Sequence, residues 1–362
     1  MKIIEEIKKY KSISTIGLGK NVGKTETLNY ILNKLTEDNL IVGITSIGID
    51  GEVVDQVTAT SKPEIIIPKG GLFVTSEKHY RSKKFQSEVL DISVRTTSLG
   101  RVVTSRSLSS GKIMLSGPSN STWIKSIIDN TLKKGADIVI VDGALSRLSV
   151  GSPIITEGII LSTGAAISNT LSGVLKKTKH LIKLLELPTV GKKKKEKLEN
   201  LEDGVYILTQ KSLIEKEMNP ERIKREKLSK ECNEKFDYEI IKLPIKSILH
   251  FSDLKENIFQ ENNSIFITGV LTERFLEYVS RQENVENIEI IVKDFTKIFT
   301  TPEILMKFLR KNGKLKVLFK TNLIAITINP TSPTGHTLDS KILIENLKEL
   351  VQVPVLNLRE EE

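Results

Sequence analysis

The residues best placed to do chemistry lie near the amino terminus, in Gly17-Leu18-Gly19-Lys20-Asn21-Val22-Gly23-Lys24-Thr25. Glycines at 17, 19 and 23 let a backbone fold tightly and turn its N–H groups onto anionic oxygens. Lys24 would reach the outer phosphates of a nucleoside triphosphate as a point charge, and the Thr25 hydroxyl would take a place on Mg²⁺. A helix starting directly behind such a loop adds its positive end to the same anion. The candidate nucleotide-binding set is Gly17, Gly19, Asn21, Val22, Gly23, Lys24, Thr25 and Glu26. A second element is expected where a buried strand ends in a carboxylate that can hold the metal, and DIVIVDGA supplies Asp142 there. ITSIGIDGEVVD offers a third, with Asp50 and Glu52 beyond an apolar strand. Asp50 either holds Mg²⁺ or orients a nucleophile, or it is a plain turn residue. Lys24, Asp142 and Asp50 are the expected catalytic residues; Thr25, Asp142 and Asp50 are the expected metal ligands.

These residues need a frame. Residues 12–19 read as an apolar strand running into glycine, and 25–35 carries Leu28, Ile31, Leu32 and Leu35 on one helical face. Residues 39–49 read as a second buried strand, rich in β-branched residues. Strand, loop, helix, strand opens a parallel α/β domain. Beyond it, 64–75 predicts strand, turn and strand, and EKHYRSKKFQSEVLDI (77–92) predicts a charged helix. Residues 101–106 and 112–116 read as short strands, 122–133 as a helix, and 137–142 as a buried parallel strand. A strand at 156–162 precedes a helix at 168–186.

The lysine run GKKKKEKLENLEDG (191–204) changes the composition abruptly and reads as a solvated linker. It divides the chain into a nucleotide-binding domain at 1–190 and a second α/β domain at 205–362. In that second part, 205–209, 264–270 and 287–293 predict strands, the last two followed by helices, and 211–236 predicts a charged helix. Residues 315–328 hold one or two strands, followed by the loop NPTSPTGHTLDS, a helix at 340–350 and the strand PVLNL. The expected fold class is α/β: an amino-terminal parallel-sheet domain with a second α/β domain.

Smaller clusters leave two readings each. SGPSNST (116–122) either grips an anion or caps a helix. Arg147 either senses phosphate charge or is an ordinary surface arginine. Asn329, Ser332, Gly335 and His336 either border a ligand or form a capped turn. His79, His180, His250 and His336 show no metal-like spacing.

Five residues separate Gly17 from Gly23, where the common phosphate loop would set glycine at position 18. GLGKNVGKT therefore resembles the longer loop of the dethiobiotin synthetase group of P-loop proteins. Asp142, Gly143 and Ala144 match the acidic-Gly-Ala strand end of that group. The resemblance covers roughly residues 12–190 and implies an NTPase domain that takes a triphosphate with Mg²⁺. No Asn-Lys-x-Asp signature occurs, and ILTQKS (207–212) lacks the aspartate, so ATP is expected over GTP. Cys232 sits in SKECNEKFD, not at a nucleophile elbow, so glutamine-dependent transfer is not expected. Against partition ATPases, Lys20 stands one position late and Asn21 replaces a glycine.

Over the whole chain, IVDGALSR and INPTSPTGHTLDS look similar to the ATP-binding reactivase subunits of lysine 5,6-aminomutase. That family restores a coenzyme-B₁₂ enzyme by driving exchange of damaged cofactor. The resemblance implies an ATP-hydrolysing subunit that couples nucleotide state to a protein partner, namely a B₁₂-dependent aminomutase and a second reactivase subunit. An ATP-dependent small-molecule ligase of the dethiobiotin synthetase type stays open beside it, as does a nucleotide-binding regulator without turnover.

Composition sets the remaining bounds. With 39% hydrophobic and 27% charged residues the balance is that of a globular chain. No run approaches the ~18–20 apolar residues of a bilayer crossing. MKIIEEIKKYKS lacks the apolar core of a secretory signal, and one cysteine excludes an internal disulfide framework. The cytoplasm is the expected location. A net charge of +9 brings acidic partners into question, yet aromatics are only 5% and scattered, so nucleic-acid binding is not expected. The oligomeric state stays open.

Overall fold

A computed structural model describes residues 2–48, 65–143, 151–211, 237–245, 247–253 and 263–360. The chain divides into two compact units, one of residues 1–185 with 321–362, the other of 186–320. The first unit runs α1 (Lys2–Ile7), β1 (Ser12–Gly17), α2 (Lys24–Glu37), β2 (Val42–Ser46), β3 (Ile65–Ile67), β4 (Leu72–Ser76), α3 (Glu77–Ser82) and β5 (Ser87–Thr97). It continues through β6 (Gly100–Ser107), β7 (Gly111–Ile113), α4 (Ser121–Lys133), β8 (Ile138–Gly143), β9 (Gly158–Gly164) and α5 (Leu171–Leu185). The second unit holds α6 (Lys192–Leu198), β10 (Val205–Lys211), β11 (Asp237–Lys242), β12 (Asn263–Ile267), β13 (Leu271–Thr272) and α7 (Glu273–Val279). It ends with β14 (Glu289–Val292), β15 (Ile298–Phe299), α8 (Pro302–Arg310) and β16 (Lys314–Val317). The chain then returns to the first unit as β17 (Asn322–Asn329), α9 (Ser340–Lys348) and β18 (Val355–Leu356).

The first unit is α/β, built on a nine-stranded sheet in the order β18-β17-β9-β1-β8-β2-β4-β6-β5. From β18 to β4 the neighbours pair parallel; β6 runs antiparallel to β4, and β5 antiparallel to β6. The central strands are apolar runs because both faces are covered. Alternate residues serve opposite layers. Ile138 and Ile140 of β8 pack with Ile13, Ile44 and the α2 stripe Leu28, Ile31, Leu32 and Leu35. Val139 and Val141 pack instead with Ile124 and Ile128 of α4. Burying each such side chain contributes about 1.5–3 kcal/mol. The parallel strands bring their carboxyl ends to one edge, where open α/β sheets bind ligands.

The second unit carries a five-stranded sheet ordered β11-β10-β12-β14-β16. β12, β14 and β16 are parallel, while β10 is antiparallel to both its neighbours. Glu289 opens β14 and is buried. It receives Lys194 of α6, Lys316 of β16 at 2.7 Å and the Ser264 hydroxyl at 2.8 Å. Lys194 also lies over the Tyr238 ring, 5.0 Å from its centroid. Burial pushes the Glu289 carboxyl up, but the charge of Lys194 and the bonds from Lys194, Lys316 and Ser264 outweigh it and hold it at about 2.

Three expectations change. The helix expected over 77–92 stops at Ser82, and 87–97 forms the outer sheet strand β5. Irregularities between Val89 and Asp91 and between Ile92 and Thr96 break the two-residue alternation, so the charged run mimics a helical period. The lysine run is no linker: residues 192–198 are helical and Leu198 is buried. The second α/β body does not occupy 205–362, because the strands read together at 315–328 are β16 and β17 and belong to different sheets. Periodicity identifies an apolar strand but not the sheet it joins. The helix expected at 211–236 lies outside the described residues, apart from Lys211 at the end of β10. Among the described residues, no helix is long and apolar enough to cross a membrane.

Candidate functional site

The loop between β1 and α2 lies at the carboxyl edge of the large sheet. Gly17 ends β1 opposite Ser162 of β9, and Leu18 N donates to the Ser162 carbonyl at 2.9 Å. Asn21 (φ 58°) and Gly23 (φ 85°) are left-handed, which reverses the chain twice within three residues. Asparagine tolerates that region better than most side chains, so position 21 does not require a glycine. Val22 is buried between them. The helix α2 begins at Lys24 with Gly23 at its N-cap and no side chain closing it. Asn120, Thr272 and Asp339 do close α4, α7 and α9. The first-turn N–H groups of α2, those of Lys24, Thr25 and Glu26, therefore have no side-chain cap.

Lys24 reaches across the edge to Asp142, with Nζ 2.7 Å from Oδ1. Asp142 stands near the end of β8, flanked in register by Thr15 of β1 and Ser46 of β2. The Thr15 hydroxyl donates to the same Oδ1 at 3.5 Å. Among the described residues no hydrogen bond is made to Oδ2. A lysine, uncapped backbone N–H groups, the Thr25 hydroxyl and a carboxylate with a free oxygen could together hold an anion and a hard divalent cation. That donor set fits Mg²⁺ and a polyphosphate.

The far wall is formed by β17, which arrives from the end of the chain. Asn329 Nδ2 donates to the Asn21 carbonyl at 3.1 Å, and the Asn329 side chain lies beside Gly23. Opposite Asn329 in register is Gly164, where a Cβ would stand 1.9 Å from the Asn329 carbonyl. Only glycine admits that approach. Beneath the loop, three buried hydroxyls meet: Thr27 and Thr327 at 2.8 Å, and Thr327 and Ser162 at 2.9 Å. They link α2, β9 and β17. Glu26, expected among the nucleotide contacts, is exposed and pairs with Arg359 at 2.8 Å.

The other clusters fall apart from this centre. Asn120 accepts from Trp123 N at 3.0 Å, so SGPSNST caps α4. Ser332 and His336 close on one another through Ser332 N to the His336 carbonyl (2.8 Å) and His336 N to the Ser332 hydroxyl (3.1 Å), a capped turn. Of that stretch, Asn329 meets the loop. His79 is buried, its Nδ1 2.8 Å from the Ser116 hydroxyl, and burial followed by the nearby Lys78 charge lowers its pKa. Among the described residues no group of three potential metal ligands forms. Asp50, Glu52, Ala144, Arg147 and Cys232 lie outside the described residues.

Composition and spacing did not point to Thr15, Thr27, Ser162 or Thr327. Their signal is a hydroxyl set inside an otherwise apolar strand or helix face. No family model, curated protein or solved structure matches the chain.

Proposed function

We propose that the first unit binds a nucleoside triphosphate with Mg²⁺ between β1 and α2 and hydrolyses it, with ATP as the nucleotide. The observation that carries this is the convergence of Lys24 and Asp142 at 2.7 Å beside an uncapped helix that starts on a left-handed glycine. In this reading the loop from Gly17 to Gly23 wraps the phosphates, and Lys24 leaves Asp142 to meet them. Asp142 and the Thr25 hydroxyl would hold Mg²⁺, which would neutralise phosphate charge when bound. A carboxylate and an ammonium that pair with one another exchange partners as the ligand enters, so neither charge is left bare.

Hydrolysis in this reading drives a change in a protein partner. The resemblance to reactivase subunits suggests a coenzyme-B₁₂-dependent aminomutase, acted on with a second reactivase subunit in the cytoplasm. A small-molecule ligase is the second reading, favoured by the pocket described below.

Calorimetric titration of the full chain with ATP and with GTP, each with and without Mg²⁺, tests the nucleotide. Saturable Mg²⁺-dependent ATP binding that Lys24→Ala weakens by about 100-fold is expected; unchanged affinity in that variant overturns the assignment. Phosphate release measured alone, with an aminomutase and with small carboxylates then separates coupling from ligation.

A further inference from the structure

Further along the same carboxyl edge a pocket of ≈ 360 Å³ opens between Gly48, the turn 96–98, the loop 117–120 and Trp123. Backbone bonds tie its wall to the candidate site. Ile47 N donates to the Asp142 carbonyl at 3.3 Å, Gly48 N to the Pro118 carbonyl at 3.1 Å, and Gly117 N to the Gly48 carbonyl at 3.1 Å. Gly48 follows β2, the strand next to β8, so the pocket wall stands one strand spacing, about 5 Å, from the strand that carries Asp142. Its volume is at the small end of the ligand-pocket range of roughly 300–1,000 Å³, which suits a metabolite and not a macromolecule.

The lining divides into groups that hold the wall and groups left for a ligand. Thr97 Oγ1 donates to the Gly100 carbonyl at 2.9 Å and accepts from Leu99 N at 3.1 Å, and Asn120 Oδ1 caps α4. The exposed hydroxyls of Thr96, Ser98 and Ser119 make no hydrogen bond among the described residues. The Arg95 guanidinium lies over the Trp123 ring, 5.9 Å from its centroid. Among the described residues that line it, none is acidic. Arg95 does not itself line the pocket, but it precedes the lining turn 96–98 and lies over the lining Trp123; one guanidinium beside several neutral hydroxyls balances a single negative charge, whereas a phosphate dianion would leave charge uncompensated. A planar carboxylate also matches the guanidinium fork.

We propose that this pocket binds a small carboxylate as a second ligand beside the nucleotide, with Arg95 as its charge partner and the Thr96, Ser98 and Ser119 hydroxyls as its hydrogen-bonding groups. Its use as an acceptor in the nucleotide reaction rests on the nucleotide reading; the binding itself does not.

Trp123 is the one tryptophan in the chain, so its emission reports on the pocket directly. The full chain is titrated with propionate, succinate and glutamate, and with succinamide and inorganic phosphate for comparison, by fluorescence and by calorimetry. A saturable response to at least one carboxylate is expected, weakened about tenfold or more by Arg95→Ala. Ser119→Val gives a second, independent loss at an exposed position where folding is not at stake. Lys24→Ala should lose ATP and keep the carboxylate, which separates failure of this proposal from failure of the nucleotide assignment. No saturable carboxylate binding overturns the proposal, as does equal affinity in Arg95→Ala or tighter binding of phosphate or succinamide.

Discussion

Two lysine–carboxylate pairs in this molecule have nearly the same burial and opposite chemistry. In Lys24–Asp142 the side chains are 17% and 10% exposed; in Lys194–Glu289 they are 15% and 10% exposed. Depth therefore does not distinguish them. The number of partners does. Glu289 Oε1 takes Lys194 and Ser264, and Oε2 takes Lys316, so both oxygens are filled. Among the described residues, Asp142 has Lys24 and a long contact from Thr15 on one oxygen alone. A saturated pair can only be broken at a loss, but an unsaturated one can trade its partner for a ligand. The filled pair sits where β14 begins and the open pair where β8 ends, which agrees with the carboxyl edge being the binding edge of such sheets.

Substitution should drive the two pairs apart. Glu289→Gln leaves two lysines facing a neutral amide, and urea unfolding should show the second unit destabilised by about 3–5 kcal/mol with ATP affinity unchanged. Acid should act on the same group. Its folded pKa is held at about 2, below the ordinary 4.5, so its contribution is complete above about pH 4.5 and is lost as pH falls towards 2. That loss is on the order of 3 kcal/mol for such a shift, and Glu289→Gln should flatten the stability profile between those values.

At the open pair, the main effect should be on ligand. Lys24→Ala should weaken ATP by about 100-fold in calorimetry, the worth of a charge-assisted contact and its Coulomb attraction. Asp142→Asn should keep most metal-free ATP binding and lose about tenfold of the tightening by Mg²⁺. Smallest of all, Arg359→Ala breaks an exposed pair with Glu26 and should shift stability by at most about 1 kcal/mol. If Asp142→Asn instead destabilises the first unit as strongly as Glu289→Gln does the second, the contrast between the pairs fails.

How far these features could be read from sequence follows from their range. The glycine loop and Asp142 were legible because spacing within nine residues, or the end of one apolar strand, is local information. The Glu289 cluster was not, since Lys194, Ser264, Glu289 and Lys316 come from four separate elements. The sequence marks Asn329 as an edge residue, but its contact with Asn21 depends on β17 joining the first sheet. The strand β5 reads as helix in the sequence because its irregular register removes the period-two signature. The second unit's insertion left no mark, as a strand leaving one sheet looks like a strand entering another.

That insertion has a consequence for how the protein is made. Residues 186–320 leave the ribosome before β17, so the nascent first unit waits with β9 as an unpaired edge. At ~5–20 residues per second the wait is on the order of ten seconds. During that interval the loop at 17–25 lacks Asn329, and the hydroxyl pair of Thr27 and Ser162 lacks Thr327. The ligand site is thus among the last parts to be completed, and a chain truncated before residue 321 would carry every residue of the glycine loop without its final wall.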